Sequence, residues 1–91
     1  LVVNLADPSG RRFVRVNLTI VTDAEETQEE IVRRKPQIRD AVIKIFRTKT
    51  VDKIREEEGI FSIRNEILTA INEILPFGEV TDVFFTEFVY Q

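Results

Sequence analysis

Ser9, Ser62 and two glutamate clusters are the residues of this chain best suited to bond-making chemistry, and both groups lack the partners it needs. A serine becomes a nucleophile when a neighbouring base takes its proton, most often an imidazole. With no histidine a serine triad is excluded, and the unusual lysine-based variants find no support in the spacing. Paired carboxylates act as general acid and base when burial raises the pKa of one of them. Glu25, Glu26, Glu29 and Glu30, and again Glu56, Glu57 and Glu58, sit among other charges and read as solvated faces. Cysteine is also absent, which removes thiolate metal sites and disulfides. The expectation is a protein with no enzymatic activity, no metal and no cofactor.

Binding chemistry fares better. The run Asp7-Pro8-Ser9-Gly10-Arg11-Arg12 offers backbone amides and arginines to a phosphate but matches no phosphate-loop pattern, so it reads as a hairpin turn. Arg11, Arg12 and Arg15 support one binding hypothesis, a monomeric module for cell-wall glycan or another anionic ligand. A net charge of −3 argues against nucleic acid as a partner. Arg39 and Asp40 flank an apolar stripe. Asp40 with Lys44 is an ordinary i,i+4 surface pair, and a partner contact stands as the other reading. Strand alternation puts Glu87 on one face with Phe85 and Val89, where a carboxylate either pairs with Arg12 or Arg15 or meets another subunit.

The elements that must position these residues follow from periodicity. Leu1 to Leu5 and the alternating Val14, Val16, Leu18 and Ile20 form a hairpin around the Pro-Gly turn, the second strand having one dry face. Asp23, with Glu26 three positions on, suggests a capped start to a mostly polar helix carrying Glu29–Arg33 and Glu30–Arg34 pairs. Pro36 breaks that helix and starts another, whose stripe Ile38, Ala41, Val42, Ile45 and Phe46 is core. Thr50 caps a short helix that Gly59 ends in a turn. A longer helix runs from Ile60 with Ile63, Ile67, Ala70, Ile71 and Ile74 buried and Phe61, Leu68 and Leu75 widening the apolar face, and it stops before Pro76.

The closing run Val83 to Tyr90 is a strand apolar on both faces. Helices cover one face, and Phe85, Glu87 and Val89 are expected on the other. The fold class is therefore α+β: a β-hairpin, two to four helices, then a C-terminal strand completing a three-stranded sheet with helices packed on it. Residues 1–91 read as a single domain. A chain starting at Leu1 without any methionine also reads as a fragment, in which an upstream anchor would not be seen.

Several motifs occur in a familiar order: Asn4-Leu5-Ala6-Asp7 with Gly10-Arg11-Arg12-Phe13, Pro36-Gln37-Ile38-Arg39-Asp40-Ala41, Ile71-Asn72, and Thr86-Glu87-Phe88-Val89-Tyr90-Gln91. Over its whole length the chain resembles the C-terminal domain of the flagellar basal-body-associated FliL family. The resemblance implies a periplasmic domain with a stomatin-type (SPFH-like) fold, joined by a linker to a single transmembrane helix in the bacterial inner membrane. It further implies association with the stator proteins MotA and MotB, a role in motility and chemotaxis, and self-association into a ring. Arg12, Phe13, Arg39, Asp40, Thr86, Glu87 and Phe88 fall on its signature positions. With the two-faced final strand and the opposed blocks Glu25–Glu30 against Arg33–Lys35 and Arg11–Arg15, these features nominate Arg12, Phe13, Arg15, Arg39, Asp40, Phe85, Glu87 and Val89 as a partner or subunit interface.

Overall fold

The computed structural model describes residues 1–91, and its element order is two strands, four helices and a strand. The hairpin is β1 (Val2–Asn4) with β2 (Phe13–Val21), turned at Gly10, whose φ of +68° suits a residue without a Cβ. Strand β3 (Asp82–Tyr90) returns antiparallel beside β2, giving a three-stranded sheet in the order β1-β2-β3. This is the α+β architecture expected from the sequence.

Helices α1 (Glu25–Arg33) and α2 (Lys35–Arg47) are separated at Arg34, and Pro36 lies in the first turn of α2. Proline fits there because the first-turn amides have no helical acceptor to lose. The N-cap of α1 is Ala24, with no side-chain cap, and Asp23 lies exposed outside it, so the expected capping box does not form. In α3 (Val51–Arg55) the Thr50 hydroxyl accepts from the Lys53 amide at 3.1 Å, which is the expected cap. Gly59 does not close a C-terminal turn. It begins α4 (Gly59–Ile74), where a Cβ would lie 2.3 Å from the Lys53 carbonyl oxygen, so glycine serves close backbone approach.

Ile38, Val42 and Phe46 of α2 join Ile63, Ile67 and Ile71 of α4 in one core with Val14 and Val16 of β2. Both helices thus cover the same side of the sheet. Phe61 does not widen this face: it is 52% exposed, with the Arg64 guanidinium 5.3 Å from its ring centroid. Asn72 fastens α4 to the segment leading into β3 with both ends of its amide, donating to the Val80 carbonyl at 3.1 Å and accepting from the Val80 amide at 2.8 Å.

The sheet register contains one irregularity that reorganises β3. Asn17 pairs with Glu87 but Leu18 pairs with Phe85, so Thr86 is an extra residue. A bulge of this kind shifts the alternation of side chains by one position. Val83 and Phe85 face the helices before it, and Phe88 and Tyr90 face them after it, each opposite an inward residue of β2. The rings confirm the grouping: Phe85 and Phe88 lie 4.9 Å apart edge to face, and Phe46 is 6.3 Å from the first and 6.1 Å from the second. The two-sided apolar pattern of the closing run is therefore largely a one-sided strand with a step in it.

Candidate functional site

The helix-free face of the sheet is the surface on which four of the eight candidate residues converge. Val2, Arg15 and Val89 form one row across the three strands, Asn17 and Glu87 form the next, and Thr19 and Phe84 follow. Apolar side chains on this face remain in solvent, Val2 at 59%, Val89 at 50% and Phe84 at 45% exposed. Phe13 is half-buried at the lower end, with its carbonyl accepting from the Gln91 amide at 3.0 Å. At its margin β3 is a terminal strand of nine residues, paired with β2 on one side and with nothing on the other. Such an edge presents free backbone donors and acceptors in a row.

The structure corrects the expected placement of Phe85 and the expected pairing of Glu87 with Arg12 or Arg15. Phe85 lies on the helix side because of the bulge, in the aromatic cluster with Phe46 and Phe88. Glu87 does lie beside β2, but its neighbour is Asn17, whose side-chain amide donates to Glu87 Oε1 at 3.3 Å. Neither Arg12 nor Arg15 pairs with it, since the register places Val89 opposite Arg15 and Arg12 lies beyond the strand. Arg12 instead approaches Asp7, Nε to Oδ2 at 3.9 Å, within the hairpin turn.

Arg39 and Asp40 are exposed on α2, away from this face, and diverge from each other. Asp40 pairs with Lys44 at 3.0 Å, the ordinary surface arrangement, whereas Arg39 borders a groove beside β2. The face thus gathers Phe13, Arg15, Glu87 and Val89 and leaves out Arg12, Arg39, Asp40 and Phe85. It adds Val2, Asn17 and Phe84. Sequence alternation assigned Phe84 to the helix side, and only knowledge of the bulge would have moved it out.

Electrostatics are most concentrated in α1. Glu30 is 3% exposed, and its two oxygens accept from Arg33 Nη1 and Arg34 Nε at 2.5 Å each. The hydrogen bond from Arg34 chiefly holds its carboxyl below the usual range, with the charges of both arginines assisting and burial opposing. The Glu29–Arg33 pair expected from spacing is not made, because Arg33 turns to Glu30. Buried Thr27 on the same helix abuts Gly78, so α1 is only partly a solvated face.

No group of three or more His, Cys, Asp or Glu side chains converges in a way that could hold a metal ion. The cleft beside Arg12 also contains Asp7, Asp52 and Arg55, a balanced set that gives an anion no net attraction. No helix is long and apolar enough to cross a membrane.

Comparison with known proteins adds what geometry leaves open. The family model described as "Flagellar basal body-associated protein FliL" matches residues 1–91. The chain belongs to the FliL family. It is 41% identical over 90 residues to the flagellar protein FliL of Aquifex aeolicus, covering 99% of this chain and 56% of that one. It is 31% identical over 79 residues to FliL of Bacillus subtilis, covering 87% of this chain and 56% of that one. The flagellar protein LafL of Vibrio parahaemolyticus is 25% identical over 95 residues, again over slightly more than half of its length, 57%. This domain therefore spans about half the length of the curated relatives it matches. Its family is one of flagellar basal-body-associated proteins, not of enzymes.

Proposed function

We propose that the domain is a scaffold of the flagellar basal body, acting on the periplasmic side of the inner membrane. It self-associates into a ring that surrounds MotA/MotB stator units and favours their engaged, ion-conducting state. The observation that carries this reading is the helix-free sheet face, where Phe84 and Val89 on the unpaired edge strand β3, and Val2 on β1, stand exposed. Exposed apolar patches and long bare edges are commonly covered by another chain.

Charge placement favours a head-to-tail contact. Arg11 and Arg12 precede β2 and Glu25, Glu26 and Glu29 follow it, all exposed, so opposite charges sit at opposite ends of a strand roughly 30 Å long at about 3.3 Å per residue. Glu30 drops out of this set because Arg33 and Arg34 already hold it internally. Head-to-tail contacts build a closed ring when their rotation closes. A ring shifts the stator only if it binds the engaged conformation more tightly than the idle one.

Electron microscopy and sedimentation of the membrane-anchored protein test the reading. Closed oligomers are expected, with Val89→Lys reducing them to monomers while thermal stability is retained. Strict monomers of the unmodified anchored protein, or stator occupancy and swimming unchanged in its absence, would refute it.

A further inference from the structure

The opposite margin of the sheet carries a second bare edge, separate from the proposed ring contact. Strand β1 pairs with only the first part of β2, Phe13 to Arg15, so from Asn17 to Val21 that strand has β3 on one side and no strand on the other. Beside this bare stretch runs a groove of about 510 Å³. Leu18 and Ile20 of β2 and Ile38 and Val42 of α2 form its apolar walls, with Lys35 and Arg39 at the rim. A groove of this size falls within the range of small-molecule sites, about 300–1,000 Å³, but those rely on a few convergent polar side chains. Here, besides Asn17, Thr86 and the two rim cations, the polar groups are the backbone of a strand edge.

The hydrogen-bond alternation shows which groups these are. Even-numbered residues of β2 face β1: the Val16 amide donates to the Leu1 carbonyl at 2.9 Å, and the Arg12 carbonyl accepts from Leu5 at 3.0 Å. Odd-numbered residues face β3, since the Phe13 and Val21 carbonyls accept from Gln91 and Thr81. By the same period of two, Leu18 and Ile20 direct their amides and carbonyls into the groove.

We propose that the groove seats the polypeptide preceding Leu1 in a longer form of this protein, laid down as a continuation of β1. The Leu1 carbonyl is already in the ladder, so an extended chain entering through Leu1 is aimed along the bare stretch without a turn. A relative sharing nearly all of this chain is longer than the shared part, 56% of it being matched. Because β1 and β2 are antiparallel, the residue immediately before Leu1 faces Asn17, and the strand runs towards the Val21 end of the sheet. It leaves the domain at that end, so the direction of any upstream segment is fixed relative to the β3 edge.

Cysteine cross-linking of the full-length protein tests this. The domain has no native cysteine. Asn17 and the residue before Leu1 form a non-hydrogen-bonded antiparallel pair, with an expected Cα separation of about 4.5 Å, inside the disulfide range. Under mild oxidation Asn17→Cys combined with cysteine at that preceding position should lose both free thiols within a monomer. Thiols that stay free would overturn the proposal. Hydrogen exchange gives an independent reading on the unsubstituted full-length protein. The Leu18 and Ile20 amides should be as protected as that of Val16, and equally so on dilution. Rapid exchange, or protection lost on dilution, would overturn the assignment.

Discussion

The bulge in β3 makes a testable statement about which of four neighbouring side chains hold the fold together. Phe85 and Phe88 face the helices and pack at a tilt against Phe46, whereas Phe84 and Val89 face solvent. A fully buried Phe→Ala change costs about 3–5 kcal/mol. Phe85 is half-buried, which lowers its figure to about 2–3 kcal/mol, including about 0.5–1.5 kcal/mol for its aromatic contacts. Phe84→Ala loses little packing. Both changes also lower strand propensity by up to about 1 kcal/mol, so the informative quantity is their difference, about 2 kcal/mol. Urea unfolding followed by circular dichroism measures this directly, provided the slope with denaturant is unchanged. In a thermal melt the same difference is on the order of 10 °C for a domain of this size. The pattern should invert after Thr86: Phe88→Ala strongly destabilising, Val89→Ala nearly neutral. Equal losses at Phe84 and Phe85, or Val89 costing more than Phe88, would mean that β3 alternates without a step and that the helix-free face is wrongly composed.

Glu30 makes stability depend on pH in a defined direction. Its folded-state pKa is depressed, so its contribution is complete above the usual value of 4.5 and is lost as pH falls through the lower folded-state value. Denaturation curves of the unmodified protein and Glu30→Gln should therefore converge towards low pH, and parallel pH profiles would refute the assignment. Asn72→Ala leaves the Val80 amide and carbonyl, on a residue 1% exposed, without partners, and at about 1–3 kcal/mol per orphaned group should cost roughly 2–6 kcal/mol. Exchange of the Val80 amide should accelerate with it. Gly78→Ala meets two obstacles, a φ of +76° and a Cβ placed 2.0 Å from Thr27 Oγ1. A loss of at least about 1 kcal/mol is expected from the backbone alone, and Thr27→Ala in the same chain should recover only the steric part in an unfolding titration.

Much of the framework was legible because it depends on local rules. The alternation of Val14, Val16, Leu18 and Ile20 gave β2, the spacing of Ile38, Val42 and Phe46 gave the buried side of α2, and Thr50 and Pro36 marked helix starts through their own chemistry. Asn72 stood out only as part of a family motif, and its contact with Val80 supplies the physical reason for the residue type. The Asp23 capping box failed because the backbone begins α1 after Ala24, a matter of chain path. Gly59 looked like a helix stop because glycine at that position has two uses, and the proximity of the Lys53 carbonyl selects the second.

By itself the sequence determined the element types, the dry side of α2 and most of that of α4, the α+β class, the absence of histidine and cysteine chemistry, and the motifs shared with FliL proteins. Those properties are set by neighbours within one or two turns or by residue identity alone. Only the tertiary structure decided that Thr86 is skipped in the ladder, that Glu87 meets Asn17 and not an arginine, and that Glu30, whose pairing with Arg34 the spacing already gave, is buried. Each depends on a register or a packing partner distant along the chain or in another element. A one-residue step in such a register exchanges the two faces of a strand, which moved Phe85 to the helix side and left Phe84 on the same open face as Val89.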